Sequence, residues 1–436
     1  MELESAASTL TGEPLALAAL AVFFIAYLVV AAEEFSGLSK SKPMILGAGF
    51  IWLLVAIVAH EQGIPASSVR RAIEIALHDY AALFLFLLVA MTYVNAMNER
   101  NVFAALREAL IRRRMSYRSL FWITGVLAFL LSPVADNLTT ALVMGAVVMA
   151  MGREEPRFIS LGCINVVVAA NAGGAFSPFG DITTLMVWQS GNVPATRFVL
   201  LLLPAAVNFL VPALLMHFAV PHGQPGRIDH VPVRLKQGAF GICLLFGLTL
   251  ATALTFEQIL HLPAFLGMMT GFSYLMFFAY HLKIRDRRNQ VADPYNIFHK
   301  VAQAEWDTLL FFFGVIFSVA GLGYLGFLQL ASAVSYDALG PTTASILVGV
   351  LSAIVDNIPV MFAILEMDPD MDMVQWLLVT LTTGVGGSLL AIGSAAGVAL
   401  MGQSGGIYTF FSHLRWSWAI LLGYAASIAV HLMISA

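Results

Sequence analysis

Apolar runs about as long as a bilayer is thick recur along the whole chain, and they leave few folds open. Crossing the hydrocarbon core as a helix takes roughly 17–25 mostly apolar residues. Ten candidate spans can be drawn, at residues 14–32, 44–59, 80–97, 158–190, 197–219, 238–255, 262–281, 307–335, 374–402 and 410–434. Composition closes off the alternatives: of 436 residues, 59% are hydrophobic and 11% charged, where a soluble globular chain carries about a quarter charged residues. No polar stretch is long enough to fold by itself. The expectation is an all-α polytopic membrane protein. Soluble enzymes, nucleic-acid-binding proteins and secreted scaffolds are excluded together.

The N-terminal stretch Met1 to Pro14 carries Glu2, Glu4 and Glu13 and no Lys or Arg. A cleaved signal needs a basic start, so run 14–32 is expected to be a retained span. Cys163 and Cys243 both lie inside apolar runs. They form no disulfide or metal-ligand framework and read as small buried hydrophobes.

Two further apolar segments, about 120–150 and 342–366, are broken at their centres by Ser132-Pro133-Val134-Ala135-Asp136-Asn137 and by Ser352-Ala353-Ile354-Val355-Asp356-Asn357-Ile358-Pro359. Each fits either a kinked span or a re-entrant hairpin. The positive-inside rule separates the two readings. With both as hairpins and the N-terminus outside, all of the 22 Lys and Arg fall on the cytoplasmic side except Arg70, Arg71 and Arg197. A full span at 120–150 would instead put Arg153, Arg157 and the Lys283 to Lys300 cluster outside. The hairpin reading is therefore adopted. The polar stretches 98–119, 220–237 and 283–305 read as basic cytoplasmic connectors.

The chain also repeats itself. A shift of 220 residues places Pro43 and Gly47 on Pro263 and Gly267, and Asp136-Asn137 on Asp356-Asn357. A shift of 213 or 214 places Gly173-Gly174 on Gly386-Gly387, Gly180 on Gly393, Gln189-Ser190-Gly191 on Gln403-Ser404-Gly405, and His217 on His431. Residues 1–219 and 238–436 are thus expected to be two repeats joined by a cytoplasmic linker, 220–237. Each holds five spans and one hairpin, and an odd number of spans forces the halves into opposite orientation. Inverted repeats with discontinuous helices at the midplane are a plan of secondary transporters.

Three acids, Asp136, Asp181 and Asp356, fall inside apolar segments rather than in loops, termini or span ends. A charged side chain at the bilayer centre costs on the order of 3 kcal/mol or more. No Lys or Arg lies at comparable depth in the sequence, so a proton or a bound cation must neutralise them. Glycines and Pro178 around Asp181 should unwind span 158–190 at mid-depth, and Gly384 to Gly397 should unwind its mate. Exposed carbonyls then join carboxylate, amide and hydroxyl oxygens, the donors that hard cations prefer. The expected cation and proton site comprises Asp136, Asn137, Asn171, Asp181, Thr183, Thr184, Ser352, Asp356, Asn357, Ser388 and Ser394, with Na⁺ held at Asp136, Asp181 and Asp356. No histidine or thiol joins this set, and no cofactor is expected. Burial disfavours the charged form of any carboxylate, so proton and monovalent cation compete. One site holding either, opened to each side in turn, is an antiporter.

These segments resemble the signature segments of NhaD-type sodium/proton antiporters, members of the ion transporter superfamily that also includes arsenite exporters and sodium/dicarboxylate symporters. Ser132 to Thr140, Asn171 to Thr184, Ser352 to Pro359 and Gly384 to Gly397 carry the resemblance, which extends from Glu33-Glu34 through the last span. Ala391 stands where a further serine would fit the pattern. The resemblance implies efflux of Na⁺, and of Li⁺, against H⁺ uptake in a homodimer of the bacterial cytoplasmic membrane, with no nucleic-acid partner. The alternatives within the superfamily are arsenite export and Na⁺-coupled carboxylate symport. Dicarboxylate carriers typically place Ser-Asn-Thr at the hairpin tips. Aspartate here would repel an anion by several kcal/mol in a low-dielectric site.

Other features of the chain read as ordinary. His413 and the other histidines read as interfacial or hydrogen-bonded rather than as pH sensors. Asp79 and Asp307 read as helix N-terminal acids. The run Gly321 to Gly326 fits a close helix contact or a loosened helix. An intramembrane aspartyl protease would need two acids sharing one proton, and none of its dipeptides is present. A plain channel leaves the alternating occupancy of the acids unexplained.

Overall fold

The computed structural model describes residues 10–113, 115–226, 233–290 and 295–435. The acidic start and parts of the 220–237 linker and of the Lys283 to Lys300 cluster lie outside the described residues. Every regular element within them is helical. In chain order the principal helices are α1 (Pro14–Ala31), α2 (Ser41–Glu61), α3 (Ala66–Glu99), α4 (Tyr117–Ala135), α5 (Asn137–Met151), α6 (Pro156–Gly174), α7 (Ile182–Gln189), α8 (Leu202–His217) and α9 (Ala239–Gln258). There follow α10 (Ala264–Arg288), α11 (Trp306–Tyr324), α12 (Pro341–Leu351), α13 (Asn357–Met367), α14 (Met373–Gly386), α15 (Ala395–Gln403), α16 (Phe410–Leu414) and α17 (Ser417–Ser435).

Among the described residues, 9 helices are long and apolar enough to cross a membrane, or 10 if one bent pair counts as a span. This is a multi-pass membrane protein, but the elements depart from the sequence reading in particular ways. The run at 80–97 extends back to residue 66 as the 34-residue α3. At 1.5 Å per residue it is about 50 Å long, more than the hydrocarbon core is thick, and its first turn is polar and largely exposed. The runs 158–190 and 374–402 are each two helices, α6 with α7 and α14 with α15. The last span begins at Ser417 rather than 410. Of the first broken segment, α4 alone passes the length and composition test for a span, while α5 is a shorter apolar helix.

The chain forms two compact units. One comprises Met1–Ala96, Ile242–Leu339 and Phe362–Pro369; the other comprises Met97–Gly241, Gly340–Met361 and Asp370–Ala436. Each draws on both sequence halves, so the packed units are not the two repeats. In the first unit α2 packs against α1 and α11 around Ile51, Val55, Val58 and Leu322. Gly314 allows this approach, since an added Cβ would sit 2.6 Å from the Met44 backbone. Trp52 Nε1 donates to the Phe317 carbonyl at 2.8 Å. The run 307–335 ends at Tyr324 because Gly326 turns at φ +93°. Gly321 meanwhile faces Ile51, so the glycine run serves both a close contact and a helix stop.

In the second unit α6 is the centre. Its apolar window is 89% buried inside the protein, and it packs against α4, α5 and α8. A helix so enclosed needs small residues at its contacts, which the run Ala169-Ala170-Asn171-Ala172-Gly173-Gly174 supplies. Helix α8 pairs with α17, and α12 with α14. Trp122 Nε1 donates to His217 Nδ1 at 3.1 Å, and the His431 ring bonds the Val374 carbonyl at 3.0 Å. Both histidines are thus held inside the fold.

Candidate functional site

All eleven candidate residues lie in the second unit, at two kinds of break. The first kind interrupts the apolar segments at Asp136 and Asp356. Pro133 weakens the last turn of α4, and Asp136 at φ +58°, ψ 163° both closes α4 and caps α5. Its carboxylate faces its own helix: Oδ1 accepts from Thr139 N at 2.7 Å and Oδ2 from Thr139 Oγ1 at 2.8 Å. In the second segment Ser352 closes α12 and Asn357 opens α13. Asp356 Oδ1 lies 3.5 Å from the Ile358 N–H. Asp136 and Asp356 are half-buried, whereas Asn357 is buried.

The second kind of break separates α6 from α7 and α14 from α15, and the two copies match in detail. Asp181 caps α7 at φ −140°, ψ 151°, and Ser394 caps α15 at φ −144°, ψ 147°. Asp181 Oδ1 accepts from Thr183 N at 3.4 Å, and Ser394 Oγ accepts from Gly397 N at 3.4 Å. Ser132 donates to the Ala170 carbonyl at 2.6 Å and Ser352 to the Thr383 carbonyl at 2.7 Å. A Cβ on Gly173 would overlap the Phe129 carbonyl, and one on Gly386 would overlap the Gly349 carbonyl. These pairs keep the offsets 220 and 213 that relate the sequence halves, except that the cap donor stands two residues after Asp181 and three after Ser394.

Amide side chains join the breaks. Asn357 Nδ2 donates to Asp181 Oδ2 at 3.1 Å. Asn171 Nδ2 donates to Ser394 Oγ at 3.0 Å, and Asn137 Nδ2 to Asn171 Oδ1 at 3.2 Å. Each broken helix is thereby touched at its cap by an asparagine from the other half of the sequence. Asp181 is 4% exposed, and no Lys, Arg or His pairs with it among the described residues. Among the described residues no three His, Cys, Asp or Glu side chains gather closely enough to clasp a metal together. Of the three aspartates, Asp181 is bonded to Asn357 and Asp136 to Thr139.

The hydroxyl of Thr184 is occupied locally, donating to the carbonyls of Ser177 or Asp181. The Thr183 hydroxyl stands beside the Asp181 carboxylate without a well-formed hydrogen bond. Thr383, absent from the sequence-derived set, has a fully buried hydroxyl that makes no hydrogen bond, although its carbonyl receives Ser352. Next to it, an added Cβ on Gly384 would lie 3.6 Å from Asp181 Oδ2 and 3.7 Å from Thr183 Oγ1. A polar pair, Thr382-Thr383, directly before the glycines of an apolar run was the available signal. Gly384 is also the repeat mate of Asn171, 213 residues on. In one half an amide fills the space beside the cap; in the other there is only glycine.

Ser388 is engaged elsewhere. Its hydroxyl donates to the Val385 carbonyl at 2.6 Å, and the buried His413 ring bonds its carbonyl at 2.9 Å. Tyr408 OH bonds the other ring nitrogen at 2.7 Å. His413, read from sequence as interfacial or hydrogen-bonded, is hydrogen-bonded at both ring nitrogens and supports the broken segment.

The sequence profile of the citrate transporter family matches residues 9–384. The chain is 52% identical over 447 residues to the Na(+)/H(+) antiporter NhaD of Alkalimonas amylolytica, covering 98% of this chain and 92% of that protein. It is 52% identical over 445 residues to the Na(+)/H(+) antiporter NhaD of Vibrio cholerae, covering 98% and 93%. Sodium/proton antiporter 1 of Arabidopsis thaliana is 29% identical over 423 residues, covering 95% of this chain and 71% of that protein.

Proposed function

Because the chain is an NhaD-type member of the citrate transporter family, we propose that it is a Na⁺/H⁺ antiporter that expels cytoplasmic Na⁺, and Li⁺, in exchange for external H⁺ through one carboxylate site. It is a transporter rather than an enzyme, it works in the bacterial cytoplasmic membrane as a homodimer, and it needs no cofactor beyond the ions it moves. The observation that carries this reading is Asp181: a buried carboxylate in the second unit, given an amide by Asn357 and standing beside the Thr183 hydroxyl, with no cationic side chain paired to it among the described residues.

An acid so placed is tolerable in an apolar interior only when neutralised. A proton on the carboxylate does this, and so does Na⁺ held between the carboxylate and the Thr183 and Thr383 hydroxyls. The two occupants exclude each other because both use the same oxygen charge. Asn357 holds the carboxylate oriented in either state. Asp356 adds negative potential that draws the cation in, and Asp136, Asn137, Asn171 and Ser394 hold the opposite tip in place. Opening the site to one side and then the other carries Na⁺ out and H⁺ in.

The paired caps, serine bonds and glycine contacts support two inverted repeats with re-entrant segments at Asp136 and Asp356, the halves exchanging roles during alternating access. A carboxylate symporter is disfavoured by the same acid, since an anionic substrate would meet the charges of Asp181 and Asp356. Arsenite export lacks a thiol at the site, Cys163 and Cys243 being outside the set.

The test is proton release. Na⁺ added to the detergent-purified protein in weak buffer should liberate H⁺ in wild type and not in Asp181→Asn, with K⁺ giving none. Equal release from Asp181→Asn would overturn the shared site. Absence of ΔpH-driven Na⁺ flux in proteoliposomes of the wild type would overturn the antiporter reading itself.

A further inference from the structure

We propose that the second unit carries a binding site for the phosphodiester headgroup of an anionic phospholipid, apart from the ion site. A half-open cavity of about 470 Å³ lies between the start of α6 and the segment from residue 409 to the head of α17. Arg157 and Ser160 line it from α6; Arg415 and Trp416 line it from the turn between α16 and α17, with Phe411 and Leu161. Both arginines are exposed, and neither makes an ion pair or a hydrogen bond among the described residues. Glu154 and Glu155, though close in sequence, are not in the lining. Two guanidinium groups facing one cavity without a carboxylate are a binding arrangement for an anion with several oxygens, and phosphate matches the guanidinium fork.

The rest of the lining identifies the source of that phosphate. Phe411 is 78% exposed, and with the half-buried Trp416 it gives the cavity an apolar rim. Aromatic side chains at a bilayer edge sit at headgroup level, where they pack against glycerol and the first methylenes. A free phosphate would leave this rim wet. The cavity also opens at the end of the bundle that carries basic connectors. Tyr117 N donates to the Gly223 carbonyl at 3.1 Å, and the Tyr117 and Phe158 rings stand 4.8 Å apart. The start of α4, the start of α6 and the linker thus meet at one end, the end that the positive-inside rule assigns to the cytoplasm. Anionic lipids give the cytoplasmic leaflet its negative surface potential, and basic pockets between transmembrane helices are headgroup sites.

Native mass spectrometry of the full-length chain, titrated with dioleoylphosphatidylglycerol or dioleoylphosphatidylcholine, tests the site. Each arginine should tighten the first phosphatidylglycerol adduct about fivefold. Arg157→Gln and Arg415→Gln should each weaken it by that factor and the double variant by their product, while phosphatidylcholine binds less in all. Arg153→Gln removes an exposed charge at the same end but outside the lining and should bind like wild type. Because all three positions are exposed, the variants should melt with the wild type. An unchanged dissociation constant in the double variant overturns the site. So does equal weakening by Arg153→Gln, which would mean diffuse charge attraction, or displacement of the lipid by millimolar inorganic phosphate, which would mean a simple anion pocket.

Discussion

The Asn357 amide donates to Asp181 Oδ2 at 3.1 Å, joining residues 176 positions apart in the chain. The donor opens the helix after the second broken segment, and the acceptor caps the short helix after the first broken span. The carboxylate, whose other oxygen accepts from Thr183 N, is thereby oriented by uncharged groups alone. Such partners hold the acid in place without neutralising it, so the charge stays available to a proton or a cation.

Replacing Asp181 by Asn keeps the size and the capping capacity of the side chain and removes only the ionisable oxygen. Exchange in everted vesicles, read as Na⁺-induced ΔpH dequenching, should fall to the vector background, with the melting temperature preserved. Asp136→Asn should differ. Its carboxylate is committed to Thr139, so an Asn cap suffices locally. The expected result is a rise of about tenfold in the apparent KM for Na⁺ with exchange still measurable. Identical loss in both variants would mean that the two acids are equivalent.

Thr383→Val deletes the buried hydroxyl that has no partner and keeps the side-chain shape. A ligand role predicts a raised Na⁺ KM, by about tenfold for a lost interaction of roughly 1.4 kcal/mol, at unchanged maximal rate and unchanged stability. Thr382→Val removes a hydroxyl bonded to the Ser345 carbonyl and should lower the melting temperature instead. Na⁺ kinetics indistinguishable from wild type in Thr383→Val would remove Thr383 from the site.

Gly384→Ala adds a methyl in ordinary contact with Asp181 and Thr183, so the protein should fold while the space beside the carboxylate shrinks. Na⁺ should be disfavoured more than the smaller Li⁺. The ratio of their KM values, measured by dequenching with each chloride salt, should rise several-fold. A ratio equal to wild type would place the cation elsewhere.

Gly173→Ala and Gly386→Ala probe the matched helix crossings. Each puts a methyl into a backbone carbonyl of the neighbouring helix, an overpacking that costs about 1–3 kcal/mol. Both should lower the melting temperature, and by similar amounts, since the two crossings are equivalent. A large drop in one and none in the other would argue against equivalent packing.

Much of the fold was written in hydropathy and in glycine. The breaks at Asp136, Asp181, Asp356 and Ser394 could be placed from sequence because proline, glycine and aspartate interrupt an apolar run for reasons of backbone geometry and solvation. Helix lengths were less legible. The polar first turn of α3 carries no apolar signal, and α4 continues before its segment looks hydrophobic enough to count. The interior of the site was read in outline only. Residue type could nominate Ser388, but not that its carbonyl is taken by His413. It nominated no threonine before the glycines, because a threonine in an apolar helix usually bonds its own preceding turn, as Thr380 does to the Trp376 carbonyl. Only the unbonded state of its buried hydroxyl in the folded protein distinguishes Thr383 from it.

The substitution of Gly384 for the counterpart of Asn171 has a consequence for accounting by charge. A gene doubled end to end would be expected to furnish twin seats related by its own pseudo-axis. Here one of the twins is stoppered by an amide against a serine, and its sibling faces Asp181, the most deeply enclosed acid among the described residues. The breaks thus recur in both halves with matching caps, whereas an enclosed carboxylate caps only the first, so the halves are alike in backbone and opposite in chemistry.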